Sequence, residues 1–410
     1  MKKLIAVLLF LLMVSQFNLL AQEENVVQEN NEAENLQDPY KFVFKGGASM
    51  KLYGAMDMVT YYDTTSVYVS DWYIFVYPNN TYNGQEDSFS MAVRASKLGL
   101  ALNYPKALLG GDVNAKVEAD FVGGFLTGSM SVYSPLLRLK QAYVSWDTKQ
   151  HSFLLGQTFA HFLPLFPATG TWIALGASGN PWMRLPQIKY TYRNSGFKFE
   201  ASATRPMGAN MTTTDSVNDI INDGEQSNMP FFIGRAGYDM SWLSTGVSGV
   251  YGREKIHRDD DTTTPVTAVD VTLPVWLAGY DLKLSSKYVD FLGEFFYGEN
   301  INSFFAGVIQ GVNTTATDAT VITTHGYWGQ LTLKPGNKLN FHFGAGIDNP
   351  DNGDLTATQR SYNFTAFGNA NYKLTNNWTL SLEVPYMKTG YVNGTDNDNI
   401  RAMFRTVFSF

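Results

Sequence analysis

The feature that most constrains this chain is a segment of about ten residues, repeated along its length, in which apolar and polar positions alternate. Alternation with a period of two places successive side chains on opposite faces of a sheet, and spacing typical of helices is nearly absent. The pattern predicts sixteen strands, at residues 50–61, 89–103, 112–122, 136–146, 152–159, 184–193, 197–204, 231–240, 245–253, 270–282, 288–298, 323–333, 338–348, 361–374, 378–387 and 399–410. The fold class is therefore expected to be all-β.

Two of these segments show how clean the alternation is. Residues 339–347 read LNFHFGAGI, which puts Phe341 and Phe343 on one face and His342 on the other. Residues 112–121 read DVNAKVEADF, which puts Val117 on the face opposite Glu118. Each predicted strand thus has one apolar and one polar face.

The connections between the predicted strands alternate between short and long. The short ones hold Gly, Pro, Asn, Asp or Ser and lie at residues 105–111, 147–151, 194–196, 241–244, 285–287, 335–337 and 375–377. The long ones are rich in Thr, Asn, Asp and Gly and lie at residues 62–88, 123–135, 160–183, 205–230, 254–269, 299–322, 349–360 and 388–398. This alternation is typical of a transmembrane antiparallel β-barrel with short periplasmic turns and long extracellular loops.

A soluble β-sandwich is the alternative, since its strands alternate as well. A sandwich puts its apolar face inside and would not use so many Gln, Lys, Arg and Glu residues at a central polar position flanked by aromatic strand ends. Aromatic residues also cluster beside the short turns, where a barrel has an interfacial girdle, at Tyr104, Trp146, Phe153, Phe197, Tyr288, Tyr372 and Trp378. The last strand ends at Phe410, with Phe404 and Phe408 on the same face, and it resembles the terminal assembly signal of outer-membrane barrels.

The N-terminus has the layout of an export signal. Residues 1–21 combine Lys2 and Lys3 with an apolar run that ends at Ala21, which predicts a cleaved signal peptide, with a retained membrane anchor as the alternative. Residues 22–48 are predicted to form a flexible periplasmic segment, acidic up to Asp38, with a short coiled coil as the alternative. Residues 49–410 are assigned to the barrel.

Charge and composition exclude several classes of function. The net charge of −7 becomes about −3 for the body of the chain once the signal and the acidic segment are removed, so there is no basic face for nucleic acid. The chain has no cysteine, and its five histidines lack the spacing of metal ligands, so we expect neither metal nor cofactor. No catalytic motif is present, which predicts that the protein is not an enzyme. Acidic runs at residues 259–261 and 348–354 suggest calcium loops or, as we expect, solvated loops.

One quarter of the chain resembles a known family. The matching pieces lie between residues 95 and 195, at positions 96–99, 118–121, 137–143, 156–158 and 186–188. They resemble the core of the DcaP-like family of trimeric outer-membrane porins. The resemblance implies a sixteen-stranded homotrimeric channel in the outer membrane of a Gram-negative bacterium, surrounded by outer-membrane lipid and open to small solutes, with negatively charged organic acids favoured. The family often has a longer N-terminal coiled coil than residues 22–38 provide.

The third long connection is unusually apolar. Residues 160–183 include Phe162, Leu165, Phe166 and Trp172, and a loop this apolar is not expected to be solvated. We predict that it packs inside the barrel and narrows the pore. Contact with a neighbouring protomer is the alternative.

These features predict a porin, a passive channel for small hydrophilic solutes, because sixteen strands enclose an aqueous lumen. A surface-binding or adhesin barrel with a closed pore is the alternative. The expected pore-lining residues are Arg94, Lys116, Glu118, Arg138, Lys140, Lys189, Arg235, Glu294, Glu383, Arg401 and Arg405. Most bases fall on one part of the wall, and Glu294 and Glu383 fall across from them, which predicts two walls of opposite sign. Several of the bases are arginines, which favours anionic organic solutes, whereas salt-bridged residues without a selective effect are the alternative.

Overall fold

The computed structural model describes residues 39–123, 135–207, 223–260, 267–314 and 318–410, and within them it forms twenty strands. The first ten are β1 (Lys41–Val43), β2 (Ser49–Asp63), β3 (Ser88–Ala92), β4 (Lys97–Leu108), β5 (Gly111–Gly123), β6 (Leu136–Asp147), β7 (His151–Phe159), β8 (Arg184–Asn194), β9 (Phe197–Thr204) and β10 (Phe231–Asp239). The others are β11 (Leu243–Asp260), β12 (Thr267–Ser285), β13 (Val289–Glu299), β14 (Val312–Thr314), β15 (Ala319–Val321), β16 (Thr323–Leu333), β17 (Leu339–Pro350), β18 (Arg360–Lys373), β19 (Trp378–Tyr391) and β20 (Asn397–Ser409).

The strands close into a sixteen-stranded antiparallel barrel, as the sequence predicts. Each wall strand pairs with its neighbours in the chain, and β20 pairs with β2 to complete the cylinder. The strands β3 and β4 share one position in the wall, since both pair with β2. Three short strands are not among the sixteen strands of the wall: β1 pairs with the start of β2, and β14 pairs with β15. The predicted signal peptide and residues 22–38 lie outside the described residues.

All sixteen predicted strands are present, but one predicted loop is much shorter than expected. The strands β11 and β12 stay paired from Glu254 with Leu273 as far as Asp260 with Thr267, although residues 254–269 were expected to form a loop. A sheet needs apolar residues on its outer face only where that face meets lipid, so the hydrophobic pattern ends before the backbone pairing does. Asp259 and Asp260 therefore belong to a strand and not to a loop.

The apolar face of the strands points outward and the polar face points into the barrel. Phe343 and Val117 are about half exposed on the outside, whereas His342 and Glu118 are buried inside. The outer face is therefore a continuous apolar belt, which suits contact with lipid. Among the described residues, helix is confined to single turns, such as α1 (Asp223–Gln226), and none is long and apolar enough to cross a membrane.

The hydrophobic core lies inside the lumen, because three of the long connections fold inward. They are here called the first loop (residues 64–87), the third loop (residues 160–183) and the sixth loop (residues 300–322, described at 300–314 and 318–322). Trp72 of the first loop, Trp182 of the third and Phe305 of the sixth pack together, with ring centroids 5.0–6.2 Å apart. A second cluster joins Phe162 and Leu163 of the third loop to Phe304 of the sixth and to the wall residue Phe231.

Candidate functional site: the lumen and its constriction

The third loop crosses the lumen and is held by the opposite wall. The backbone N–H of Leu165 donates to Glu294 Oε1 on β13 over 2.7 Å, and that of Ala168 donates to Gln330 Oε1 on β16 over 2.6 Å. Farther along, the Gly170 N–H donates to Glu383 Oε2 on β19 over 2.5 Å. Because the loop leaves the wall at β7 and returns at β8, these bonds place it inside the barrel, as expected, and not over the rim.

Two glycines let the loop lie directly on the wall. Gly179 has a φ of +100°, and a Cβ there would lie 2.3 Å from the carbonyl oxygen of Tyr327 on β16. A Cβ at Gly346 on β17 would lie 2.1 Å from the carbonyl oxygen of Ser178. Real Cβ atoms do not approach backbone oxygens so closely, so both positions require glycine for this contact.

The four loop residues predicted to constrict the pore have different roles. Phe162 is fully buried and packs on Phe304, with ring centroids 5.0 Å apart, and Leu165 packs against a cluster that contains Trp328. Both therefore anchor the loop. Phe166 is partly exposed, and Trp172 lines the remaining open space.

The first and sixth loops fill the side of the lumen next to β13–β19. The side-chain amide of Asn363 on β18 donates to the carbonyl oxygens of Ile74 and Ala177, each over 2.8 Å, and so joins the first loop to the third. Asp348 on β17 accepts the backbone N–H of Val308 and the hydroxyl of Thr324, each over 3.1 Å. Asp348 was expected in a solvated loop, but it is buried and holds the sixth loop.

The open space lies on the other side of the lumen, next to β4–β8. A cavity of about 330 Å³ runs between the third loop and the inner faces of β2, β5, β6 and β20. A second cavity, of about 490 Å³, continues beside the ends of β5 and β6 that lead to the long loops. The two cavities have six lining residues in common, here called the waist, which are Trp72, Val122, Arg138, Lys140, Trp182 and Arg184.

Most bases on the inner wall have a carboxylate of their own. Arg401 pairs with Asp63, Arg405 with Asp57 and Arg235 with Asp281, each through two hydrogen bonds of 2.6–2.9 Å. Arg94 forms an ion pair with Asp71 in the first loop. The charges of these four arginine–aspartate pairs cancel locally. Lys189 lies 3.4 Å from Glu200 but shares it with Lys198, which lies 2.9 Å from the same carboxylate.

A cluster of bases near the waist has fewer carboxylates than it needs for neutrality. Glu118 lies 3.3 Å from Lys140, 3.7 Å from Lys97 and 3.9 Å from Lys116. Asp120 lies 2.7 Å from Arg138 and 3.7 Å from Lys140.

Arg184 stands beside this cluster and has no ion pair with any described residue. Together with the four bases around Glu118 and Asp120 it gives five cations against two carboxylates, so the waist has an excess of positive charge.

The expectation of two walls of opposite sign needs correction. Glu294 and Glu383 do lie across the barrel from the basic cluster, but both are buried under the third loop and bind its backbone. They are therefore anchors for the loop and do not face the open space. Arg94, Arg235, Arg401 and Arg405 are each paired with an aspartate, and the excess of positive charge beside the open space lies on β4–β6 and β8.

Sequence reasoning missed the partners of the arginines and the residues that complete the waist. Asp57 and Asp63 occupy positions of β2 whose side chains point into the barrel. They meet the arginines of β20 only because the barrel closes. The first and last strands of a barrel must pair, so inspection of inward positions on both could have identified these contacts. Trp72 and Trp182 reach the waist through the folding of the loops, for which the strand pattern has no signal. The described residues hold no cluster of metal-ligating side chains.

Comparison with known proteins identifies the fold. No protein-family model and no curated protein matches the chain. The outer membrane channel DcaP of Acinetobacter baumannii is similar in structure, with a TM-score of 0.72 and 18% identity over 90% of this chain and 99% of that one. OmpT of Vibrio cholerae has a TM-score of 0.55 at 11% identity, over 90% of this chain and 99% of its own. Salmonella typhi OmpF, solved with daunomycin, has a TM-score of 0.51 at 14% identity over 90% and 100%.

The closed barrel, its apolar outer face and these similarities define a transmembrane β-barrel with the fold of Gram-negative outer-membrane porins. The resemblance to the DcaP-like porins is confirmed at the level of the fold.

Proposed function

We propose that the protein is a passive outer-membrane channel for small hydrophilic solutes, with a preference for anionic organic acids. The single observation that supports this most strongly is the excess of positive charge at the waist. Charges confined between low-dielectric walls raise the local concentration of the opposite ion, so a solute with a carboxylate is favoured there. The arginines at this place can also match a carboxylate with two hydrogen bonds.

The proposal describes a channel without catalysis. The two carboxylates that line the cavities are both ion-paired, Asp57 with Arg405 and Asp120 with Arg138, so neither is a free general base. Solute movement would then depend only on size, charge and concentration. The proposal includes a homotrimer in lipid, as the DcaP-like resemblance implies, and light scattering of detergent-solubilised protein tests it with an expected mass of three chains.

A second candidate function follows from the packing of the loops. The first, third and sixth loops form a hydrophobic core in the lumen, which suits a closed barrel whose other loops bind a surface ligand. Purified protein in planar bilayers separates the two functions. A channel gives stepwise increases in conductance, whereas a closed barrel gives none. A salt gradient across the same bilayer then tests the anion preference through the sign of the reversal potential.

For the N-terminus we keep the proposal made from the sequence, which is a cleaved signal peptide followed by a periplasmic segment. Residues 1–21 would direct export and be removed, and residues 22–48 would lie in the periplasm before the barrel. The described end of this segment is consistent with that place, because β1 pairs beside the start of β2 and Tyr40 packs on Phe410. N-terminal sequencing of protein from outer membranes is expected to begin at Gln22.

A further inference from the structure

Arg184 differs from the arginines of the inner wall that are paired with aspartates in the way it is held. Its guanidinium carbon lies 4.1 Å from the centroid of the Phe159 ring and 5.1 Å from that of Trp182. Its Nε is buried and has no hydrogen-bond partner among the described residues, and no described carboxylate forms an ion pair with it. Aromatic rings, and no acid, therefore hold this guanidinium in place.

The partners of the other arginines explain why this difference matters. Arg401, Arg405 and Arg235 each use two nitrogens on one aspartate. A solute carboxylate that needs the same two N–H groups must displace that aspartate, and displacement would leave a buried acid without its counter-charge. Arg184 requires no such displacement.

Arg184 lies where the two cavities meet. It is one of the six waist residues common to both cavities, with Arg138 and Lys140. Arg138 is bound by Asp120 through two hydrogen bonds of 2.7 and 3.0 Å, and Lys140 lies near both Asp120 and Glu118. Of the three waist bases, Arg184 is thus the one without an ion pair to the described residues.

The rings also restrict the orientation of the guanidinium. Stacking on Phe159 and Trp182 limits rotation of the planar group, so that its fork of N–H donors is pre-organised. A pre-organised fork fits the two oxygens of a carboxylate better than a single spherical ion such as chloride. A lysine at this position would keep the charge and lose the fork.

We propose that Arg184 is the specificity-determining residue of the channel, and that its guanidinium binds the carboxylate of small organic anions at the waist. The paired arginines instead hold the loops and the wall together. This inference rests on the proposed function as an anion-preferring channel, and it adds which side chain makes the distinction and by what chemistry.

The test compares wild type, Arg184→Gln, Arg184→Lys and Arg193→Gln in planar bilayers, with potassium chloride and potassium acetate as probes. Arg193 is the matched control, since it is an exposed arginine at the far end of the same strand. Arg184→Gln is expected to lower the chloride-to-potassium permeability ratio about twofold to fivefold, the range for one partly solvated ion pair. Arg184→Lys is expected to keep that ratio and to lower the acetate-to-chloride ratio. Arg193→Gln is expected to change both ratios by much less.

The outcomes separate this inference from the proposed function. A wild-type channel that prefers potassium overturns the proposed anion preference itself. An anion-preferring wild type whose selectivity survives Arg184→Gln overturns the role of Arg184 and leaves the proposed function standing. An Arg184→Lys channel with the wild-type acetate-to-chloride ratio overturns recognition through the fork. Each variant is first checked for folding by the heat-dependent shift of its band in gel electrophoresis.

Discussion

The two carboxylates that hold the third loop are expected to respond unequally to the same substitution. Glu294 uses both oxygens: Oε1 accepts the Leu165 N–H, and Oε2 accepts the Trp328 Nε1–H over 3.0 Å. Glu383 uses one: Oε2 accepts both the Gly170 N–H and the side-chain amide of Asn369, while its buried Oε1 has no partner.

A glutamine keeps one acceptor oxygen and replaces the other with an NH₂ group. Glu294→Gln must therefore set a donor against either the loop or the indole and lose a bond. Glu383→Gln can keep both of its bonds, and its NH₂ group takes the place of an oxygen that is already buried without a partner, so it adds no unpaired group. A buried donor without an acceptor costs about 1–3 kcal/mol. We expect Glu294→Gln to lower the free energy of unfolding by that amount and Glu383→Gln to lower it by less than about 1 kcal/mol.

The assay is unfolding in guanidinium chloride in detergent micelles, followed by tryptophan fluorescence. Single-channel recordings provide a second readout, because a loosened third loop is expected to increase open-channel current noise in Glu294→Gln. Equal losses of stability, or a larger loss in Glu383→Gln, would refute the assignment of these hydrogen bonds.

Three further predictions concern the third loop. Burial lowers the pKa of His161 to about 4, so between pH 6.5 and 4 the unfolded chain binds a proton that the folded protein excludes. The stability of His161→Phe relative to wild type should therefore increase as the pH falls, by about 1–2 kcal/mol at pH 5. An equal difference in stability at pH 5 and pH 8 would contradict this. Gly346→Ala should displace the loop and destabilise the barrel, whereas Gly234→Ala, whose Cβ meets nothing within 4 Å, should not; equal thermal stability of the two would contradict the close approach. Deletion of residues 162–172 should enlarge single-channel conductance, and unchanged conductance in a folded barrel would contradict a constriction by the loop.

The barrel could be predicted from the sequence because each strand contains its own evidence. In β17, for example, His342 and Phe343 indicate the inner and outer faces without reference to any other segment. The ends of β11 and β12 were harder to predict, since strand pairing beyond the membrane does not require apolar residues. The apolar character of the third loop was also visible locally, and it correctly indicated that the loop is buried in the lumen.

The charge distribution could be predicted only in part because it depends on contacts between distant segments. Arg405 and Asp57 are 348 residues apart in the chain and meet through barrel closure. Glu383 occupies a strand position whose side chain points into the barrel, as that of a pore-lining residue does, but the third loop covers it. Parity shows which side chains point inward, and only the folding of the loops decides which of them face open space.

The central claim is that solutes pass between the third loop and the basic part of the wall, and cysteine labelling tests it most directly. The chain has no cysteine of its own, so single cysteines can be introduced into an otherwise unreactive protein. Ala95→Cys lines the smaller cavity, and Thr375→Cys lies exposed in a periplasmic turn as the control. A negatively charged methanethiosulfonate reagent is expected to lower the current through the Ala95→Cys channel and to leave the labelled Thr375→Cys channel unchanged. Labelling of Ala95→Cys without any change in current would contradict this path.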